Sequence, residues 1–131
     1  MTVLFKNSKE VGDFGEEAAA NYLRKNGYKI IERNYHASHN EIDIIAEDKS
    51  FIVFTEVKTR MADSNSPSVY GRPAKAVNYD KKCHTVNAAR AYLRANPTVK
   101  QVRMDVIEVY LSGAGKVTDI VHIRNAYGVQ K

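Results

Sequence analysis

Only one cysteine, Cys83, occurs in 131 residues, so no internal disulfide can form and a cysteine-rich zinc site is excluded. Such sparing use suits a reducing compartment. Long apolar runs are missing too. Nothing approaches the ~20 consecutive apolar residues of a membrane span, and Met1–Lys6 gives way at once to polar Asn7-Ser8-Lys9-Glu10 instead of the core of a signal peptide. The expectation is a soluble, cytoplasmic protein. No internal repeat, low-complexity tract or linker divides the chain, which reads as a single domain over residues 1–131 with a core from about 10 to 125. Positive charge is in excess: the net charge is +5, which favours phosphate-rich partners through counterion release.

The first helix is expected from Lys9 to Asn26. Val11, Phe14, Gly15, Ala18, Ala19, Tyr22 and Leu23 fall on one arc, and Asn26-Gly27 supplies the stop. Tyr28 to Tyr35 reads as a strand, followed by a polar loop, His36 to Asn40. Glu41–Glu47 and Phe51–Thr59 are rich in Ile, Val and Phe around a short break, which is a hairpin signal. Arg60 to Pro73 reads as a long loop, and loops of that length in compact domains are more often functional than decorative. A second helix is expected from about Lys75 to Asn96, then a strand within Val99–Leu111, a turn at Ser112–Gly115 and a last strand from Val117 to Ile123. The order α-β-β-β-α-β-β predicts an α/β fold, a sheet flanked by two helices.

Strand periodicity locates the chemistry. Glu41, Asp43 and Ile45 should share one face of the first hairpin strand, with Ile42, Ile44 and Ala46 on the other. In the second strand Ile52, Phe54, Glu56 and Lys58 should lie together. A tight turn centred between Lys49 and Ser50 sets Ile45 opposite Phe54, Asp43 opposite Glu56 and Glu41 opposite Lys58. Opposed Cβ atoms lie about 4.5–5.5 Å apart, so two carboxylates would meet beside a lysine. Their repulsion needs an offset, and a hard divalent cation, Mg²⁺ or Mn²⁺, provides one. A metal between such carboxylates clamps phosphate and acidifies its bound water, while a neighbouring lysine contacts the attacking water or the phosphate oxygens. A Glu-x-Lys in a strand is ordinarily a solvated face. Here the same face is apolar near the turn, which sets it apart.

Asp43 followed by Glu56-Val57-Lys58 resembles the core of the PD-(D/E)XK nucleases. More narrowly, Gly15-Glu16-Glu17-Ala18-Ala19 with Tyr22-Leu23, Asn40-Glu41-Ile42-Asp43-Ile44-Ile45, Phe54-Thr55-Glu56-Val57-Lys58-Thr59-Arg60 and Arg103-Met104-Asp105-Val106 resemble the YraN-type bacterial family, which has a Holliday-junction-resolvase-like endonuclease fold. The resemblance spans roughly residues 10 to 110. It implies a restriction-endonuclease-like central mixed sheet, with Asp43 and Glu56 as metal ligands and Lys58 as the catalytic lysine. Glu16 would complete the site from the first helix, with Glu17 the outward-facing alternative. Glu41 would be either an extra ligand or a salt-bridge partner of Lys58. Arg60, Tyr70, Arg72, Lys81 and Lys82 are the candidate nucleic-acid contacts; Lys81 takes the second-helix lysine position although Lys82 lies nearer the apolar face, and Tyr70, in the long loop, is either a base-stacking residue or an ordinary surface tyrosine.

Two positions depart from the family pattern. Asn40 replaces a glycine before Glu-Ile-Asp, where asparagine tolerates unusual backbone angles, and Thr55 replaces a common valine on the face away from the site. His36 and His39 read as solvated loop residues, and His84, His122 and Cys83 have no partner at a catalytic spacing. The expected activity is Mg²⁺- or Mn²⁺-dependent hydrolysis of DNA, with branched or damaged DNA as candidate substrates. Junction resolvases act as dimers, so a homodimer is admitted, although no exposed apolar stripe demands it. The rival expectation is a nucleic-acid-binding or scaffolding protein that keeps the fold without turnover. The intact Asp/Glu/Lys set favours the enzyme, because a pure binder has no use for carboxylates crowded beside a phosphate backbone.

Overall fold

The computed structural model describes residues 7–61 and 79–127, apart from the side chains of residues 8 and 79–83. Its elements run α1 (Ser8–Lys25), β1 (Lys29–Ala37), β2 (Asn40–Glu47), β3 (Phe51–Met61), α2 (Tyr79–Ala95), β4 (Gln101–Leu111) and β5 (Val117–Tyr127). The five strands form one sheet in the order β1-β2-β3-β4-β5. Neighbouring strands are antiparallel except β3 and β4, which run parallel because the chain returns through α2. This is the expected α/β architecture, a mixed sheet flanked by two helices and consistent with a restriction-endonuclease-like fold. No helix among the described residues is long and apolar enough to cross a membrane.

Each helix covers its own part of the sheet. Ala19, Ala20 and Leu23 of α1 pack with Ile44, Ala46, Val53, Ile107, Val109 and Leu111. Ala88, Ala89 and Tyr92 of α2 pack with Ile42, Ile45, Ile52, Phe54 and Met104. The apolar arc of α1 is rotated from the one expected, since Ala20 is fully buried and Phe14 is exposed. Gly15 explains the seating. A methyl group there would collide with the side chain of Thr59, so glycine lets the helix touch β3 directly. The close approach carries the next residue, Glu16, toward the charged end of the strand.

The helix ends follow local chemistry. Asn7 caps α1 by accepting from the Glu10 amide at 2.9 Å, and Gly27 takes a left-handed φ of 89° just past its end. The polar loop expected at His36–Asn40 is instead a tight hairpin turn: Ala37 pairs with Asn40, and Ser38 takes a left-handed φ of 61°. Ser38, not Asn40, thus carries the unusual backbone.

The central hairpin has the expected register, with Ile44 opposite Thr55, Ile45 opposite Phe54, Ala46 opposite Val53 and Glu47 opposite Ile52. Its turn is closed by Asp48, whose Oδ1 accepts from the Ser50 and Phe51 amides. The ladder stops one step short of Asp43 and Glu56. Residues 40–42 of β2 pair only with β1, while β3 continues beside β4 as far as Met61. The two strands therefore fork. Ile42 also departs from the alternation expected for β2, because it packs with Ile45 and not with Ile44 and Ala46.

Candidate active site

Where β2 leaves β3, the Val57 amide loses its strand partner. Asp43 replaces it: Oδ2 accepts from Val57 N at 2.8 Å. The fork opens into a cleft of about 230 Å³ lined by Asp43, Glu56, Glu41, His39, His84 and Thr85, with Ile42 and Thr55 completing its wall. Asp43 and Glu56 thus face one cavity, although no ladder pair joins them.

Glu56 is 4% exposed, and Lys58 Nζ lies 3.2 Å from its Oε2. A buried carboxylate needs such an offset, because taking the charge out of water is otherwise expensive. The partner is not the one allowed for in the sequence, where Glu41 was the alternative ion pair of Lys58. Glu41 stands at the lip of the cleft, half exposed, with Oε2 4.0 Å from His36 Nδ1.

Glu16 reaches the same neighbourhood from α1. Its side chain is 17% exposed, and Arg33 Nη2 lies 3.8 Å from Oε1. Burial, followed by the charge of Asp43, pushes its carboxyl above the usual range, against the pull of Arg33 and a hydrogen bond with Asn34. Glu17 points to solvent and takes a 2.7 Å bond from Arg33 Nη1. Of the two glutamates, Glu16 is the one whose carboxyl feels the charge of Asp43, although neither lines the cleft.

Other residues lie elsewhere. Arg60 is two positions beyond Lys58 on β3, beside Tyr110 of β4, and does not line the cleft. Tyr70 and Arg72 fall outside the described residues, as do the side chains of Lys81 and Lys82, whose backbone belongs to α2. Among the described residues no three histidine, cysteine, aspartate or glutamate side chains come together as a ready-made metal cage.

The structure adds residues that strand alternation did not reveal. Thr55, expected on the face away from the site, lines the cleft, as do His84 and Thr85. Tyr127, at the end of β5, is a further partly buried group near the carboxylates. Its phenol is pushed up to about 12 by burial and by the charges of Glu56 and Asp43, with Thr85 acting the other way. It therefore stays protonated beside the carboxylates at neutral pH. Glu108, the β4 neighbour of Lys58, is buried and accepts from Tyr110 Oη at 3.1 Å. Their signal lies in the packing of α2 and of the sheet's far strands, which no local pattern carries.

His122 has structural partners, although none at the candidate reaction centre. Its Nε2 lies 2.6 Å from Asp105 Oδ2, and Tyr22 Oη lies 3.1 Å from its Nδ1. Arg103 donates to both oxygens of Asp105, at 2.9 and 2.8 Å, and to Tyr28 Oη at 2.6 Å. None of these residues lines the cleft. The network joins α1, β4 and β5 and is a structural element.

The "Uncharacterised protein family UPF0102" matches residues 15–109, which include every cleft carboxylate and stop short of Tyr127. A UPF0102 protein of Clostridium acetobutylicum is 41% identical over 123 residues, covering 93% of this chain and 97% of its own. One from Clostridium botulinum is 41% identical over 124 residues, with the same coverage. One from Caldanaerobacter subterraneus subsp. tengcongensis is 43% identical over 123 residues, covering 92% of this chain and 97% of its own. The resemblance to the YraN-type family read from the motifs points to the same family. A match along most of both chains leaves no doubt of kinship, and the chain belongs to the family UPF0102.

Proposed function

We propose that this protein is a metal-dependent endonuclease of the PD-(D/E)XK type, hydrolysing phosphodiester bonds in DNA, with branched or damaged DNA as its substrate class. One observation carries the reading: Asp43 and Glu56 line a single cleft, with the Lys58 ammonium 3.2 Å from Glu56.

The donor set fits Mg²⁺ or Mn²⁺. It is made of hard carboxylate oxygens, and one oxygen of Asp43 is fixed by the Val57 amide, which orients the group. A cation that keeps several waters and takes one or two protein carboxylates needs no full protein cage. Asp43 and Glu56 would hold it, with Glu41 at the lip as a further oxygen donor. Bound there, the metal supplies Lewis acidity at a phosphate oxygen and a water of lowered pKa.

The chain's own groups account for the rest. In hydrolysis a water oxygen forms a bond to phosphorus, the bond from phosphorus to the leaving oxygen breaks, and the proton lost by the water is balanced by one gained at the leaving oxygen. Lys58 places a positive charge where negative charge grows on the phosphate. Glu56 anchors that ammonium, so the lysine is pre-positioned and not freely rotating. Glu16, with its raised carboxyl, is the acidic group closest to a proton-accepting role from the helix side.

The test is a cleavage screen of linear, flapped and four-way DNA with Mg²⁺ or Mn²⁺, run beside Glu56→Gln and Lys58→Ala. The expected result is metal-dependent cutting by the parent alone, with DNA binding kept in Glu56→Gln. Binding without cutting by the parent on every DNA would make the protein a binder that has kept the fold.

A further inference from the structure

The outward side of α2 is a basic surface that the cleft chemistry leaves unused. His84, Asn87, Arg90 and Arg94 are all exposed and recur at intervals of three, three and four residues, so they form one ridge along the helix. The opposite side of the helix, at Ala88, Ala89 and Tyr92, is buried against the sheet. No acidic residue occurs from His84 to Ala95. Glu32 and Glu47 act on Tyr92 on the inward side of the helix, and Glu47 is paired with Lys100 at 3.0 Å. His84 begins the ridge and also lines the cleft, so the ridge leads away from the candidate reaction centre.

From these placements we infer that the exposed ridge of α2 is the track for the DNA backbone on one side of the cleft. The inference rests on the nuclease reading above and adds where a duplex arm lies. The ridge is about 15 Å long at 1.5 Å per residue. That length matches about four successive phosphates of one strand at 3.4 Å each. Arg90 and Arg94 contact phosphates, Asn87 donates to the backbone between them, and His84 meets the strand as it enters the cleft. Such contacts set position and register without reading sequence, as suits an enzyme selecting DNA by shape.

The test measures binding of a labelled four-way junction, and of a linear duplex, across a salt series without divalent metal. Each phosphate contact contributes about 0.9 to the slope of log affinity against log salt. Arg90→Ala/Arg94→Ala should therefore lower the slope by about 1.8. Alanine favours helix, and circular dichroism checks that the fold is kept. Lys25→Ala/Lys116→Ala removes the same net charge from exposed positions outside α2 and should leave the slope unchanged. Equal slopes for the two double variants would overturn the ridge while leaving the nuclease reading intact. A parent that binds neither DNA would overturn both.

Discussion

Asp43 accepts the Val57 amide across the fork at 2.8 Å, so one carboxylate both closes the sheet and faces the cleft. The two roles separate by substitution. Asp43→Asn keeps a carbonyl oxygen to accept from Val57, and should fold with a urea midpoint close to the parent's. Asp43→Ala leaves the amide without its partner and should lose about 1–3 kcal/mol, the usual penalty for an unsatisfied buried group. Both variants should lose Mn²⁺ binding by calorimetry. An asparagine variant that binds Mn²⁺ like the parent would remove Asp43 from the ligand set.

Lys58 offsets the charge of Glu56, so the carboxylates are less mutually repelled than strand geometry alone suggested. Lys58→Met should therefore weaken the metal-free protein, because a buried carboxylate loses its counter-charge. Mg²⁺ should then raise the melting temperature of the variant more than that of the parent, since the cation restores the missing charge and binds only the folded state. Equal Mg²⁺ responses would show that the ion pair and the metal do not share Glu56.

Glu16 gives a prediction with a definite sign. Its folded carboxyl is raised, by burial first and by Asp43 next. A raised acid disfavours the fold once it ionises, so the penalty is absent below the ordinary value of 4.5 and grows as pH rises through the raised one. Glu16→Gln should be more stable than the parent at pH 8, with the difference closing toward pH 4. Urea titrations at a few pH values measure it. A gain that persists unchanged at low pH would trace to packing and not to charge.

The hairpin register was legible because its pattern alternates apolar residues with charges, and a slip by one would have exposed Phe54 and Ile52. The fork itself was not legible. Strand periodicity pairs Asp43 with Glu56 indefinitely, whereas the side chain of Asp43 takes over the Val57 amide and ends the ladder. Glycine at position 15 could be read as part of a helical arc, but its contact with Thr59 depends on how α1 lies across β3. His84 and Thr85 were hidden for a similar reason: a helix pattern reports which side is apolar, not which end of the sheet it crosses. His122 finds Asp105 only because β5 returns beside β4, with irregularities in their pairing.

That last pairing offers a test away from the reaction centre. Asp105 is fully buried and receives Arg103 Nε and Nη2, His122 and the Asn125 amide. Burial alone would raise its carboxyl, but the bonds from His122, Arg103 and Asn125 outweigh it and hold the group below its ordinary value. A depressed acid adds stability above the unfolded value of 3.8, and that stability is lost as pH falls through the lower folded one. Asp105→Asn also leaves the Arg103 guanidinium buried without its counter-ion, at a cost of about 3–5 kcal/mol at pH 7. The gap between variant and parent should narrow below pH 3.8, because the parent then loses the same contribution. Mn²⁺ affinity should be unchanged wherever the variant is folded, since Asp105 does not line the cleft. Loss of metal binding in a folded Asp105→Asn protein would mean that the network positions the fork as well as joining α1 to the sheet.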